Sequence, residues 1–115
     1  MPLDFPSAKE LRKHTKKHWQ EFNLVDEYAE NDYLALARAF CADPIPNGAE
    51  ECVRTCDSRI DRFRDVTGEF AVLMPMRTFI LTYHILHPSG TVGASRTHRF
   101  RTNREYFQAD CECKT

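Results

Sequence analysis

Ile60-Asp61-Arg62-Phe63-Arg64, Asp65-Val66-Thr67-Gly68 and Glu69-Phe70-Ala71-Val72-Leu73 follow one another without a break, and they read as strand, turn, strand. The two flanking runs have strand length, and the four residues between them end in the glycine that a tight reversal favours. Alternation places Ile60, Arg62 and Arg64 on one face of the first strand, with Asp61, Phe63 and Asp65 on the other.

Downstream, Met74-Pro75-Met76-Arg77 is the next break. Thr78-Phe79-Ile80-Leu81-Thr82-Tyr83-His84-Ile85 is rich in β-branched and aromatic residues and predicts a central strand. Thr82 and His84 share one face of it, and Leu81, Tyr83 and Ile85 the other. His87-Pro88-Ser89-Gly90 ends that strand. Arg96 to Phe100 is the place for a last strand, and Asn103 to Phe107 for a short turn that packs Tyr106 and Phe107 on the core.

Upstream the period is helical. Ser7 and Glu10 form a capping pair ahead of Leu11. Leu11, Thr15, Trp19 and Phe22 then recur at three- and four-residue spacing, the buried face of a helix. His14, Lys17, His18 and Glu21 share a neighbouring face. A second helix starts near Asn31, with Tyr33, Leu36, Ala37 and Phe40 inward, and ends before Pro44, Pro46 and Asn47-Gly48. Trp19, Phe22, Tyr33, Phe40, Phe70 and Phe79 are the expected aromatic core. The order gives an α+β domain, with two N-terminal helices packed on a twisted antiparallel sheet of about four strands. Residues 1–115 form a single domain, with 1–8 and 111–115 as peripheral tails.

The chain has 115 residues, 42% hydrophobic and 29% charged, which excludes disorder and coiled coil. Its longest apolar runs are strand-sized, so no membrane partner is expected. Met1-Pro-Leu-Asp-Phe-Pro is too short and too soon charged for a signal peptide. The expected place of action is the cytoplasm, reached by secretion or delivery where another domain or system carries the chain. The net charge of −1 does not mark a nucleic-acid binder, but its distribution does. Lys9, Arg12, Lys13, Lys16 and Lys17 crowd the start, and Arg96, Arg99, Arg101 and Arg104 the end, so a polyanion fits between the first and last thirds. Each of these charges taken alone reads as a solvated face.

Five cysteines leave at least one unpaired in a monomer. Cys52-x-x-x-Cys56 and Cys111-x-Cys113 are not the two-residue spacing of a zinc knuckle. A disulfide from the C-terminal tail to the loop at Cys52 or Cys56 is the better reading, with the pairing open.

His14-x-x-Lys17-His18 puts two imidazoles and an ammonium on adjacent turns, roughly 5–6 Å apart at Cβ. Cleaving RNA without a metal needs a base for the 2′-hydroxyl, an acid for the leaving 5′-oxygen, and cations for the phosphorane. Imidazoles and ammonium groups are suited to that work. The plain alternative is a solvated helix face. A zinc pair at i and i+4 is the weaker rival, because Thr15 stands where a metalloprotease helix has glutamate.

These residues resemble a family. Lys13 to Phe22 looks like the H-x-x-K-H-x-x-x-F opening of bacterial polymorphic-toxin ribonucleases, of the superfamily joining barnase, EndoU, colicin-type tRNases and RelE. Asp61 to Leu73 is similar to that family's R-Y/F-D-x-x-T-x-E-F-A-V hairpin. Ile80-Leu81-Thr82-Tyr83 with His87-Pro88 resembles its I-R-T-Y/F strand and K-P end, and Asn103-x-x-Tyr106-Phe107 its closing N-x-x-Y-F. The likeness runs from about Leu11 to Cys111. Two places depart from it: His87 stands for the family's lysine after an inserted Ile85-Leu86, and Met74 to Arg77 replaces a polar-glycine turn.

The resemblance implies a metal-independent endoribonuclease, a cleft between helices and sheet, an RNA substrate that is often tRNA, and a cognate immunity protein. No cofactor or metal is implied, and the expected state is a monomer. The candidate catalytic residues are His14 and His18, as base and acid in either order, Lys17 on the phosphate and Thr82 as a hydrogen-bond donor. Candidate substrate contacts are Arg59, Arg62, Arg64, Tyr83, His84, His87 and Asn103. Two rival functions stay open: a non-catalytic RNA-binding module of the same fold, and a small disulfide- or zinc-stabilised interaction domain.

Overall fold

The computed structural model describes residues 3–115. Helix α1, Ala8–His18, begins where Ser7 Oγ accepts the Glu10 N–H at 3.2 Å. Glu10 in its first turn and Lys16, Lys17 and His18 in its last complement the helix dipole. A tighter 3-10 turn, Trp19–Phe22, continues it and stops at Asn23, whose left-handed φ of 54° closes the turn. Helix α2, Glu30–Cys41, buries Tyr33, Leu34, Ala37, Phe40 and Cys41. That is one apolar stripe at helical spacing. Leu36, expected inside, lies at its exposed edge.

Four strands follow: β1 Ala49–Val53, β2 Ile60–Arg64, β3 Glu69–Leu73 and β4 Ile80–Ile85. They form one antiparallel sheet in the order β1-β2-β3-β4. The hairpin between β2 and β3 forms as expected. Gly68 has φ +76° there, and an added Cβ would lie 3.2 Å from Ile85 and 3.3 Å from the Leu86 carbonyl oxygen. Only glycine fits that turn.

Helix α3, Asn103–Cys111, is capped by Thr102 Oγ1, which accepts the Glu105 N–H at 3.1 Å. It stands where a short turn was expected, so the helices are not all N-terminal. It packs on the sheet face opposite α2. One core holds Phe5, Tyr33, Leu34, Phe40, Ile60, Leu73, Ile80 and Tyr83, and the other Phe63, Phe70, Val72, Leu86 and Phe107.

Several expectations are corrected. β1, unforeseen, supplies the fourth strand, and Arg96 to Phe100 forms none, its one ladder pairing being an isolated bridge from His98 to Pro88. A bulge sets Val72 opposite Thr82 but Leu73 opposite Ile80, so Leu81 is the extra residue. Ile80 thereby shares a core with Tyr83, and Leu81 packs toward Phe70 and Phe107. Phe79 is 41% exposed, because its carbonyl closes the turn with the Met74 N–H before the strand begins. Among the described residues, neither the segment before α1 nor the one after α3 hangs free. Phe5 is buried and the Asp4 carbonyl accepts the Ile80 N–H at 2.9 Å. At the other end, disulfides join Cys52 to Cys111 and Cys56 to Cys113, leaving Cys41 free and buried. The tail-to-loop disulfide reading holds, twice over. No helix among the described residues is long and apolar enough to cross a membrane.

Candidate active site

A cleft of about 310 Å³ opens between the C-terminal end of α1, the β4 strand and the loop before α3. Lys17, His18 and Glu21 line one side, Thr82 and His84 the floor, and His87, Arg96, His98 and Tyr106 the far wall. The start of the chain and the polar face of β4 therefore meet in one concavity.

His18 is the best-defined group in it. Its ring is almost fully buried, and Nδ1 lies 2.6 Å from Glu21 Oε2. The other Glu21 oxygen accepts the Ile85 N–H at 2.8 Å, the free edge of β4. Burial pushes the Glu21 carboxyl up, but the bonds from His18 and Ile85 outweigh it and hold it below the usual range. An ionised carboxylate at Nδ1 fixes the imidazole's orientation and leaves Nε2 to exchange a proton. This pairing exists because α1 tightens after His18, and the turn swings Glu21 under the ring.

The imidazoles form a stack. The rings of His18 and His84 are 5.2 Å apart and nearly parallel, His14 lies 6.1 Å behind His18, and Phe5 covers His14 at 5.2 Å. Burial, with the neighbouring His18, lowers both His14 and His84 to about 4, so both are neutral near pH 7. His84 Nδ1 is 3.1 Å from Thr82 Oγ1. His14 does not line the cleft. The second imidazole in the cleft is instead His84, which strand alternation placed beside Thr82.

Lys17 and Arg96 stand on opposite sides of the cleft. Burial, then the nearby Arg96 and Lys13, lowers the Lys17 ammonium from its ordinary value. Neither Lys17 nor Arg96 has a carboxylate within ion-pair distance among the described residues. Two unpaired cations facing one hollow favour an anion there.

The remaining expected contacts divide. His87 lines the cleft, and its carbonyl accepts the His98 N–H at 3.0 Å. Asn103 stands behind the wall: its Oδ1 accepts from His98 Nε2 at 2.8 Å and its Nδ2 donates to the Leu86 carbonyl at 3.2 Å. It positions the wall instead of touching a ligand. His98 also stacks on Tyr106 at 4.9 Å, a flat surface neither residue was expected to make.

Four expected contacts lie elsewhere. Arg62 is wholly buried on the α2 side, donating to Glu51 and to the carbonyls of Phe40 and Ala42. Arg64, on the same face, pairs with Glu69 at 2.6 Å and covers Phe40. Tyr83 is buried there too, its hydroxyl donating to Glu69 at 2.5 Å. Arg59 is exposed in the β1–β2 connection beside Asp57. The sheet separates the first three from the cleft. Glu21, Arg96 and Tyr106 were missed as site residues, although Glu21 shares a helical face with His18 in the sequence.

The four cysteines of the tail and loop do not bring their sulfurs into one cluster. The chain matches no protein-family model and no curated protein.

Proposed function

We propose that this protein is an endoribonuclease toxin that works without a metal, cutting RNA to a 2′,3′-cyclic phosphate and a 5′-hydroxyl. The observation that carries the reading is the carboxylate-oriented His18 in one cleft with Lys17, Thr82 and His84. His18 Nε2 takes the proton of the 2′-hydroxyl, and Glu21 balances the imidazolium that results. The 2′-oxygen attacks phosphorus and the P–O5′ bond breaks. Lys17, whose ammonium is made more acidic by its surroundings, gives a proton to the leaving 5′-oxygen. Arg96 and the Thr82 hydroxyl hold the phosphorane oxygens. A base next to the cut stacks on Tyr106 and His98.

The wider reading keeps the delivered toxin and its immunity protein. Two disulfides favour passage through an oxidising space before the RNA is reached. The decisive experiment incubates total RNA with the protein in EDTA and maps the new ends. Cutting with cyclic-phosphate ends is expected, and His18→Ala is expected to slow it about 10²–10⁴-fold with the fold intact. His14→Ala is expected to cost far less, since His14 only backs the stack. Cutting that needs added metal, or survives His18→Ala, overturns the proposal. Salt-sensitive RNA binding without turnover supports the binding-module alternative instead.

A further inference from the structure

On the α3 side of the sheet, away from the cleft, a second group of reactive side chains meets. Cys52 of β1 and Asp61 of β2 are cross-strand partners, and Cys111 at the end of α3 reaches over them to bond Cys52. The two sulfurs and an Asp61 oxygen all lie within 4.8 Å of one another. Asp61 is wholly buried, and neither of its oxygens meets a donor. Its neighbour is the carboxyl of Asp110, itself 3% exposed and an acceptor like Asp61. The two carboxyls are close enough to share a proton. The disulfide alone gives no reason for a carboxyl in this place.

We infer that, once the Cys52–Cys111 bond is reduced, Cys52, Cys111 and Asp61 bind one zinc ion, its fourth position taken by a water. Zinc takes thiolate sulfur at about 2.3 Å and carboxylate oxygen at about 2.0–2.2 Å in a tetrahedron. Such a set places its two sulfurs about 3.8 Å apart. The Cα atoms of Cys52 and Cys111 are already 6.1 Å apart, so rotation of the two side chains opens the site without moving a strand. A dithiol reductant supplies the two electrons and two protons, closing its own disulfide as Cys52 and Cys111 become thiols. Metal binding then releases those two protons and the carboxyl proton to solvent. Arg54, 3.3 Å from Asp110, offsets part of the remaining negative charge. The consequence is that α3, which carries Asn103 and Tyr106 to the cleft, stays fixed to the sheet in an oxidising space through sulfur and in a reducing one through zinc.

The test uses the full chain, reduced with a phosphine and freed of metal, with Zn²⁺ uptake measured against a chromophoric chelator and Co²⁺ as the spectroscopic probe. Reduced protein is expected to bind one equivalent, with the absorption of a cobalt–thiolate bond, and oxidised protein none. Asp61→Asn, close in size, is expected to weaken binding by at least about 10–100-fold, the loss seen when even an outer partner of a ligand is removed. The double variant Cys56→Ser, Cys113→Ser is expected to bind as the parent does. The inference is overturned if the reduced chain takes up no metal, or if Asp61→Asn binds as tightly as the parent. It is overturned as well if reduction unfolds the chain and one equivalent of Zn²⁺ does not refold it, or if the Cys56, Cys113 variant loses the site.

Discussion

His18 and Glu21 are three residues apart, yet their relation rests on a local change of helix. Had α1 continued unchanged, Glu21 would face the same general side without being held to β4; the tighter turn lets one oxygen take the Ile85 N–H while the other meets His18. Glu21→Gln keeps the size and the acceptor but removes the charge that balances an imidazolium. It is therefore expected to slow single-turnover cleavage about 10²-fold, at the lower end for general base catalysis, with KM and melting temperature near the parent's. An unchanged rate refutes the dyad. The other two imidazoles make a prediction about stability. His14 and His84 sit at about 4 in the folded chain, below the ordinary 6.5. Between those values the unfolded chain binds more protons, so stability rises with pH and is lost as pH falls from 6.5 toward 4. Each contributes a slope of up to about 1.4 kcal/mol per pH unit. Asp61, whose carboxyl burial raises, acts in the opposite sense over the same range, so the parent is compared with His14→Gln: between pH 6.5 and 5 the parent's urea midpoint is expected to fall relative to the variant's, and a constant difference contradicts the burial of the His14 ring. At this scale the sequence named the histidines but could not rank them. His14 and His18 share one helical face, and what separates them is Phe5, whose ring comes back over α1 to cover His14.

Among the elements, the hairpin from Ile60 to Leu73 was legible because its own residues specify it: a turn with glycine, and two runs that alternate. β1 was not, since Ala49-Glu50-Glu51-Cys52-Val53 carries charges where an apolar pattern is sought. Those charges become intelligible once the partners are known. Glu51 receives Arg62 from β2 and Arg77 from the turn before β4, and Glu50 pairs with Arg104 of α3. Likewise α3 looked like a turn because its first residues are polar, and only the cap at Thr102 and the disulfide at Cys111 mark its two ends. Arg62 was expected to grip RNA on the evidence of its neighbours in sequence. It instead joins three elements, satisfying the last carbonyls of α2 and the Glu51 carboxylate with one fully buried guanidinium. Removing it leaves a cavity and takes the donor from the Phe40 and Ala42 carbonyls, although Arg77 still holds Glu51. Arg62→Ala is expected to cost about 2–5 kcal/mol of stability, read from the urea midpoint, while the folded fraction keeps its cleavage rate. A stable variant with weakened RNA binding would return Arg62 to the substrate side.

For the molecule as a whole, a net charge of −1 conceals a division made by the sheet. The arginines of β2 and of the turn before β4 are spent on carboxylates of the α2 side, and of the acids between Glu21 and Glu51, Glu27, Glu30, Asp43 and Glu51 are tied up with them or with Arg12. Lys17 from the first third and Arg96 from the last remain unpaired across the cleft, which is the part of the charge pattern the sequence made visible. A polyanion bound there displaces its counterions, and for a single strand the logarithm of affinity falls with the logarithm of salt at about 0.7 per phosphate contacted. Fluorescence anisotropy of a short single-stranded RNA with the slowed His18→Ala variant reads this directly. Two contacts predict a slope of at least about 1.4, and adding Lys17→Ala or Arg96→Ala is expected to remove about 0.7 each. Arg59→Ala, on the β1–β2 connection beside Asp57, is expected to leave the slope alone. If Arg59→Ala flattens it, or if Lys17→Ala and Arg96→Ala do not, the RNA lies on another face, and the cleft loses its claim to the phosphate.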